Sequence, residues 1–297
     1  MDRQDLTRLP FSVPLRVPVG AVTERSGWLV RGPAGWGECS PLPSWSQAER
    51  AAAERSALEA ATQPFPTPLR DEVQVNAMIP RVPPSEAGGL AAASGCGTVK
   101  VKVGDDLSEA RMAAVRDAVG PGVRIRLDAN GAWPDAASAL RALRSLARFD
   151  VELVEDPVAR LDDLAAVRRA SPIPVAAEMQ IRTVEDAAEV RRRSAADAVV
   201  LKPQRLGGVR AALRAAEAAG VPAIASSALE TSVGLAAVLA AAAALPNAPF
   251  AHGVGTALLL AADVTSTPLV PVDGWLRSGR RIEPDLLLLG TNGRPDA

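Results

Sequence analysis

Cysteine is nearly absent from this chain. Its 297 residues include only Cys39 and Cys96, which show no metal-ligand spacing and suggest no disulfide framework. Net charge is missing as well: 33 basic residues against 34 acidic ones leave a formal charge of -1, which gives no electrostatic case for a nucleic-acid or anionic-membrane partner. Long apolar runs are also lacking. The greasiest stretch, Leu235 to Leu245, is mostly alanine and too short to span a bilayer, so it reads as a buried, Ala-rich helix. No apolar core of signal-peptide type follows Met1-Asp2-Arg3-Gln4-Asp5, and the expectation is a soluble, cytoplasmic protein whose partner is a small molecule. The most telling scarcity is lysine. Of the 33 basic residues only Lys100, Lys102 and Lys202 are lysines; the rest are arginines.

An Arg-rich chain that keeps three lysines has a use for what arginine cannot do. A guanidinium stays charged, whereas an ammonium can be tuned to give up its proton. Two of the three sit in Val99-Lys100-Val101-Lys102-Val103. On a strand, alternate side chains share a face, so both lysines project to one side and three valines to the other.

Residues 1–70 read as a first unit. Phe11 to Val17, Gly27 to Arg31 and Trp36 to Ser40 are strand-like, with a turn at Gly32-Pro33-Ala34-Gly35, which predicts an antiparallel meander. A proline-rich loop, Pro41 to Ser46, leads into a helix from Gln47 to Thr62. From Val73 the texture becomes a repeat. The β-branched runs Val73–Met78, Thr98–Val103, Val123–Asp128, Val151–Glu155, Ile173–Glu178, Ala198–Lys202, Pro222–Ser226 and, weakly, Ala248–His252 alternate with helical pieces such as Ser108–Val119 and Val209–Ala219. Such alternation implies parallel strands with crossover helices, and eight runs fit a closed barrel. An open doubly wound sheet is disfavoured, because no Gly-rich dinucleotide fingerprint follows the first run. The repeat ends near residue 270, and residues 271–297 are expected to pack back on the first unit.

The last polar residue of each run is Lys102, Asp128, Glu155, Glu178, Lys202, Ser226 and His252, at intervals of 23 to 27 residues. Each interval is one strand–helix unit, so in a barrel all seven gather at the mouth where active sites of this fold lie. Three carboxylates there repel one another unless a cation neutralises them. Hard oxygen donors with no His or Cys among them point to magnesium, or manganese, and not to zinc. Lysines bracketing the acids in chain order should face each other across that cation, which suits removal of a proton next to a carboxylate.

The order Lys-x-Lys, Asp128-Ala129-Asn130, Val154-Glu155-Asp156-Pro157, an acid after the fifth strand, and Leu201-Lys202-Pro203 resembles the enolase superfamily, whose sites set a lysine base against magnesium. Within it the chain resembles the muconate-lactonizing-enzyme-type subgroup. The resemblance implies a modified TIM barrel, (β/α)7β, over residues 71–270, with an α+β capping domain formed by residues 1–70 and the tail. Two segments, Gly35 to Pro43 and Ser226 to Leu235, are similar to the o-succinylbenzoate synthase family. That likeness implies a lyase of menaquinone synthesis, which dehydrates 2-succinyl-6-hydroxy-2,4-cyclohexadiene-1-carboxylate to 2-succinylbenzoate. Carried over, Lys102 is the acid/base, Lys202 stabilises the anionic intermediate, Lys100 tunes Lys102, and Asp128, Glu155 and Glu178 bind Mg²⁺. Ser226, Ser227 and Asn130 are candidate substrate-binding residues, Asn130 also supporting the metal ligands, and Pro41 to Ser46 is expected to cover the succinyl end. One departure stands out: the third acid is usually Asp in an Asp-Glu pair, but here the run is Ala177-Glu178-Met179. His252 reads as a satisfied polar residue; Trp36 and Trp45 either close over the ligand or pack in the core. The same lysines also suit N-succinylamino-acid racemases and dipeptide epimerases. The epimerases typically place an Asp-x-Asp after the eighth strand, where this chain has His252-Gly253-Val254-Gly255-Thr256. A barrel that only binds a ligand is disfavoured by the intact lysines and acids.

Overall fold

A computed structural model of the protein describes residues 7–291. The chain opens with an antiparallel meander, β1 (Arg8–Val19), β2 (Val22–Gly32) and β3 (Gly35–Cys39). Helix α1 (Gln47–Thr62) starts at a capping box in which Ser46 and Glu49 satisfy each other's backbone N–H groups. It lies directly on β3, and glycine makes this possible: a Cβ on Gly37 would stand 1.9 Å from the Ala57 carbonyl oxygen. The helix face it meets is alanine, with Ala53, Ala57 and Ala61 buried.

Strand β4 (Glu72–Gln74) is followed by seven parallel strands: β5 (Ala77–Ile79), β6 (Thr98–Lys102), β7 (Arg124–Asp128), β8 (Val151–Glu155), β9 (Val175–Ala177), β10 (Ala198–Leu201) and β11 (Ala223–Ala225). They pair in chain order, as short crossover connections require. The crossovers carry α2 (Pro84–Ala93), α3 (Ser108–Val119), α4 (Ala136–Leu146), α5 (Leu161–Ala170), α6 (Val184–Arg192), the single turn α7 (Pro203–Leu206) with α8 (Val209–Ala219), and α9 (Ser232–Ala244). Closure comes from the weak eighth run. His252 bridges Val75 and Gly253 bridges Ser226, both in parallel sense. His252 N–H donates to Gln74 at 2.7 Å and its carbonyl accepts from Asn76 at 2.9 Å; Gly253 N–H donates to Ala225 at 2.9 Å. The result is a (β/α)7β barrel.

The first run differs from the expected single strand. Its beginning, β4, pairs antiparallel with β12 (Trp275–Arg277), and only its end pairs with β6. The change of partner falls at Val75 and Asn76, where the chain turns from the tail to the closing strand. Beyond β12, Glu283 accepts the Trp36 indole N–H at 2.6 Å, and Arg281 donates to the Ala60 carbonyl at 2.6 Å while covering the Phe65 ring. α10 (Leu286–Thr291) is the last described element, and residues 292–297 of the expected tail lie outside the described residues. No described helix is long and apolar enough to cross a membrane, and α9 is the buried alanine helix expected between Leu235 and Leu245.

Cap and barrel meet through buried polar groups. Glu38 on β3 reaches the N-terminal end of α9, where its carboxylate accepts the backbone N–H of Thr231 at 3.1 Å and of Gly234 at 2.9 Å, as well as the Ser40 and Thr231 hydroxyls. Arg25 on β2 is 1% exposed and donates to the carbonyl of Leu229 at 3.0 Å and to that of Ser40. Leu229 has a φ of 67°, a conformation that leucine rarely adopts unaided. Burial, reinforced by the charge of Glu230, pushes the Glu38 carboxyl up to about 7 against the pull of its hydrogen bonds. A carboxyl whose folded value lies above its unfolded one contributes stability below the unfolded value, near 4.5, and loses it as pH rises through about 7. Wild type should therefore lose about 3 kcal/mol relative to Glu38→Gln between pH 4.5 and 8. Urea unfolding of both proteins across that range measures the difference; parallel curves would refute it.

Candidate active site

The register of the parallel strands assembles the site. Lys102 on β6 is level with Asp128 on β7, and Asp128 is level with Glu155 on β8. Three adjacent strand ends thus bring a lysine and two acids side by side, since neighbouring strands lie about 4.8 Å apart. Asp128 Oδ2 accepts from both lysines of the pair, from Lys102 Nζ at 2.7 Å and Lys100 Nζ at 3.1 Å. Lys100 also donates to Glu155 at 3.0 Å, and Lys102 also donates to the side-chain oxygen of Asn130. Asn130 sits at φ 48°, a left-handed position that asparagine tolerates. Glu178 follows β9 and Lys202 follows β10, joined at 2.6 Å.

One cavity of about 950 Å³ is lined by all three lysines, Asp128, Glu155, Glu178, Asn130, Ser226 and Ser227. The structure therefore brings together every residue singled out from the sequence for catalysis, metal binding or substrate binding. His252 is not among the lining residues. Its Nδ1 accepts the Ala225 N–H at 3.0 Å, and burial, with Arg126 and Arg70 nearby, lowers its pKa to about 3. Trp36 is tied to Glu283, and Trp45 packs in a buried cluster with Ala53 and Ala57; neither lines the cavity. From the Pro41–Ser46 loop only Leu42 does so. The tip of the β1–β2 hairpin, from Arg16 to Gly20, forms more of that wall. No chemical motif in the sequence marks it.

Electrostatics inside the site are set by mutual compensation. Burial disfavours the Asp128 anion, but Lys102 and Lys100 outweigh burial and hold its carboxyl well below the usual range. Burial likewise opposes the Lys100 cation, and Glu155 and Asp128 overcome it and keep that ammonium protonated. Lys202 is raised in the same way by Glu178. Glu155 is raised, chiefly by burial, despite Lys100. Glu178 is lowered, because Lys202 and Arg205 outweigh burial.

Two residues of the site escaped the sequence reading. Arg205 on α7 donates to the second oxygen of Glu178 at 2.8 Å and to Glu49 of α1 at 2.6 Å. Asp156 is fully buried at φ 46°, with one oxygen accepting the Glu178 N–H at 2.9 Å and the other the Met179 N–H at 3.0 Å. It lies inside Val-Glu-Asp-Pro, so a clue was available, but its partners are 22 and 23 residues further on. Carboxylate oxygens of Glu155, Asp156 and Glu178 lie within 4.8 Å of one another, close enough to share a metal ion. Asp128 is not one of these three, but whereas both Asp156 oxygens are taken by N–H groups, Asp128 Oδ1 is buried with no hydrogen-bond partner. A buried carboxylate oxygen left without a donor, beside further hard oxygens, fits a divalent cation.

Residues 85–282 match the family described as Enolase C-terminal domain-like, and residues 11–61 match Enolase N-terminal domain-like. The chain is 52% identical over 276 residues to the o-succinylbenzoate synthase of Thermobifida fusca, covering 91% of this chain and 87% of that one. In fold it is similar to the muconate lactonizing enzyme of Pseudomonas fluorescens, with a TM-score of 0.85 at 22% identity, over 98% of each chain. It is also similar to a dipeptide epimerase of Enterococcus faecalis solved with Mg and a dipeptide, with a TM-score of 0.80 at 20% identity, over 93% of this chain and 97% of that one.

Removing the Asp156 carboxylate strands one buried and one half-buried N–H group at the foot of Glu178. Asp156→Ala should cost about 2–3 kcal/mol, read as a lower urea midpoint in equilibrium unfolding. A wild-type midpoint would show that those bonds contribute nothing.

Proposed function

Because this chain belongs to the enolase superfamily, in the branch of the o-succinylbenzoate synthases, we propose that it dehydrates 2-succinyl-6-hydroxy-2,4-cyclohexadiene-1-carboxylate to 2-succinylbenzoate, a step of menaquinone synthesis in the cytoplasm. The observation that carries the reading is the convergence of Lys100, Lys102 and Lys202 with three strand-end acids on one cavity. Asp128, Glu155 and Glu178 would hold Mg²⁺, with Mn²⁺ a possible substitute, and the partnerless Asp128 Oδ1 supports that set. A cation bound there supplies positive charge to the substrate carboxylate as the neighbouring carbon loses its proton.

Lys102, acting from its neutral form, takes the α-proton and returns it to the hydroxyl leaving from the same face, so that water departs and the ring becomes aromatic. Asn130 and Asp128 fix the Lys102 ammonium between those transfers. Lys202 enters from the opposite side of the barrel, after β10, and sets a permanent positive charge against the other face of the anion. Lys100, held protonated by two acids, adds a fixed charge beside Lys102. Residues 1–70 with the tail act as the cap over this barrel, and the Pro41–Ser46 loop faces the succinyl end.

The two opposed lysines also favour a second reading, racemisation of N-succinylamino acids, in which each acts as a base on its own face. Epimerisation of dipeptides is disfavoured, since residues 252–256 carry no acid to receive an α-ammonium.

Excess EDTA should abolish turnover of the cyclohexadiene substrate, and Mg²⁺ should restore it. Lys102→Arg keeps the charge but removes the base, and should lower kcat about a thousandfold or more. Spectrophotometric assay of 2-succinylbenzoate formation decides both. Full activity in EDTA would sink the metal role, and wild-type turnover by Lys102→Arg would sink the base assignment.

A further inference from the structure

Glu178 departs from the aspartate expected at its place, and a side chain longer by one methylene has one more torsion to fix. Its two oxygens are divided between two cations in the structure. Lys202 Nζ holds Oε2 at 2.6 Å, and Arg205 Nη1 holds Oε1 at 2.8 Å. Arg205 is 9% exposed, and its Nε donates to Glu49 Oε1 at 2.6 Å; exposed Arg182 approaches the same oxygen at 3.4 Å. The other Glu49 oxygen accepts the Ser46 backbone N–H at 2.8 Å and the Ser46 hydroxyl at 2.7 Å. A continuous chain of charge-assisted bonds thus runs from the end of the Pro41–Ser46 loop, through α1 and α7, to a site carboxylate.

We infer that Arg205 is a positioning residue: bridging Glu49 and Glu178, it holds the Glu178 carboxylate in place for a divalent cation and makes cation affinity depend on the cap. This inference rests on the metal reading proposed above. The guanidinium suits the task because its fork meets two carboxylates at once from a planar frame, which a lysine ammonium does not reproduce. α7 supplies the geometry. Pro203 starts a single helical turn directly after Lys202, and that turn places Arg205 three residues on, against the same carboxylate. Lys202 comes from the cavity side, since it lines the cavity, and Arg205 does not line it. Arg205 thus holds Oε1 from outside the cavity, while Lys202 holds Oε2 from within it. Glu49 serves as the anchor for that hold. Burial opposes its ionisation, but the Ser46 bonds and Arg205 bring its pKa down to about 2.

The test is calorimetric titration of the metal-free full chain with Mg²⁺, with no substrate present. Arg205→Met, similar in length but uncharged, should weaken Mg²⁺ binding about tenfold, the usual scale for a group that orients a metal ligand. Glu49→Gln, which does not touch the cavity, should weaken it in the same direction by less. The double variant should bind no more weakly than Arg205→Met alone, because Glu49 acts only through Arg205. Unfolding midpoints confirm that each variant is folded; if Arg205→Met is not, Glu49→Gln decides by itself. Wild-type affinity in either folded variant, or losses that multiply in the double variant, would overturn the inference while leaving the metal reading intact. Absence of Mg²⁺ binding by the wild-type protein would overturn both.

Discussion

The whole molecule depends on keeping charge buried at the mouth of the barrel. Asp128 is 1% exposed and shares one oxygen between two lysines. Taking such ions out of water costs several kcal/mol each, and that cost is offset only where geometry supplies a partner for every charge. The parallel register supplies it by placing Lys102, Asp128 and Glu155 on neighbouring strands at one level. Arginine could pair with these acids as well as lysine does, yet it could not release a proton. Of the three lysines, Lys102 is the one whose proposed role, giving up and taking back a proton, an arginine could not fill.

The same constraint reaches the cap. A cavity of about 950 Å³ above buried charges needs walls that hold their shape. One wall is the segment after β11, running from Ser226 to Leu229, which Arg25 of the cap grips through the Leu229 carbonyl. Glu38 of the cap meanwhile ends on the first turn of α9, where backbone N–H groups and the helix dipole favour an anion. Each contact joins residues about 200 positions apart in sequence. Cap and barrel are consequently bound through polar groups that only fit in one relative placement, and the cavity between them inherits that definition.

How far the sequence was legible follows from the range of the interactions. The strand-end residues were legible because one strand–helix unit has a nearly constant length, so a local period reports a position around the barrel. The helix from Gln47 to Thr62 was legible from an alanine- and glutamate-rich run that ends at Pro64 and Pro66, whereas its capping box emerged only in the structure. The closing strand was faint because it contributes only isolated bridges at His252 and Gly253, too few residues to make an alternating pattern. Arg205 was hidden among arginines, its partners lying 27 and 156 positions away. The hairpin tip at Arg16 to Gly20 carried no chemical motif, and its place in the cavity wall depends on how the cap is seated.

What distinguishes dehydration from racemisation here is not the set of charged groups. Both chemistries, as proposed for this site, use a proton taken beside a carboxylate and an anion held between Lys102 and Lys202. In a dehydration the leaving hydroxyl accepts the proton back from the base that removed it, so one lysine cycles and the other stays charged. The structure is asymmetric in that sense. Lys102 is held by Asn130 and by an acid it shares with Lys100, whereas Lys202 is clamped to a carboxylate that Arg205 also grips. The neighbours of Lys202 favour its cation, with Glu178 outweighing the effect of burial. An ammonium so fixed is suited to stabilising negative charge, the part it takes in the one-base reaction proposed above.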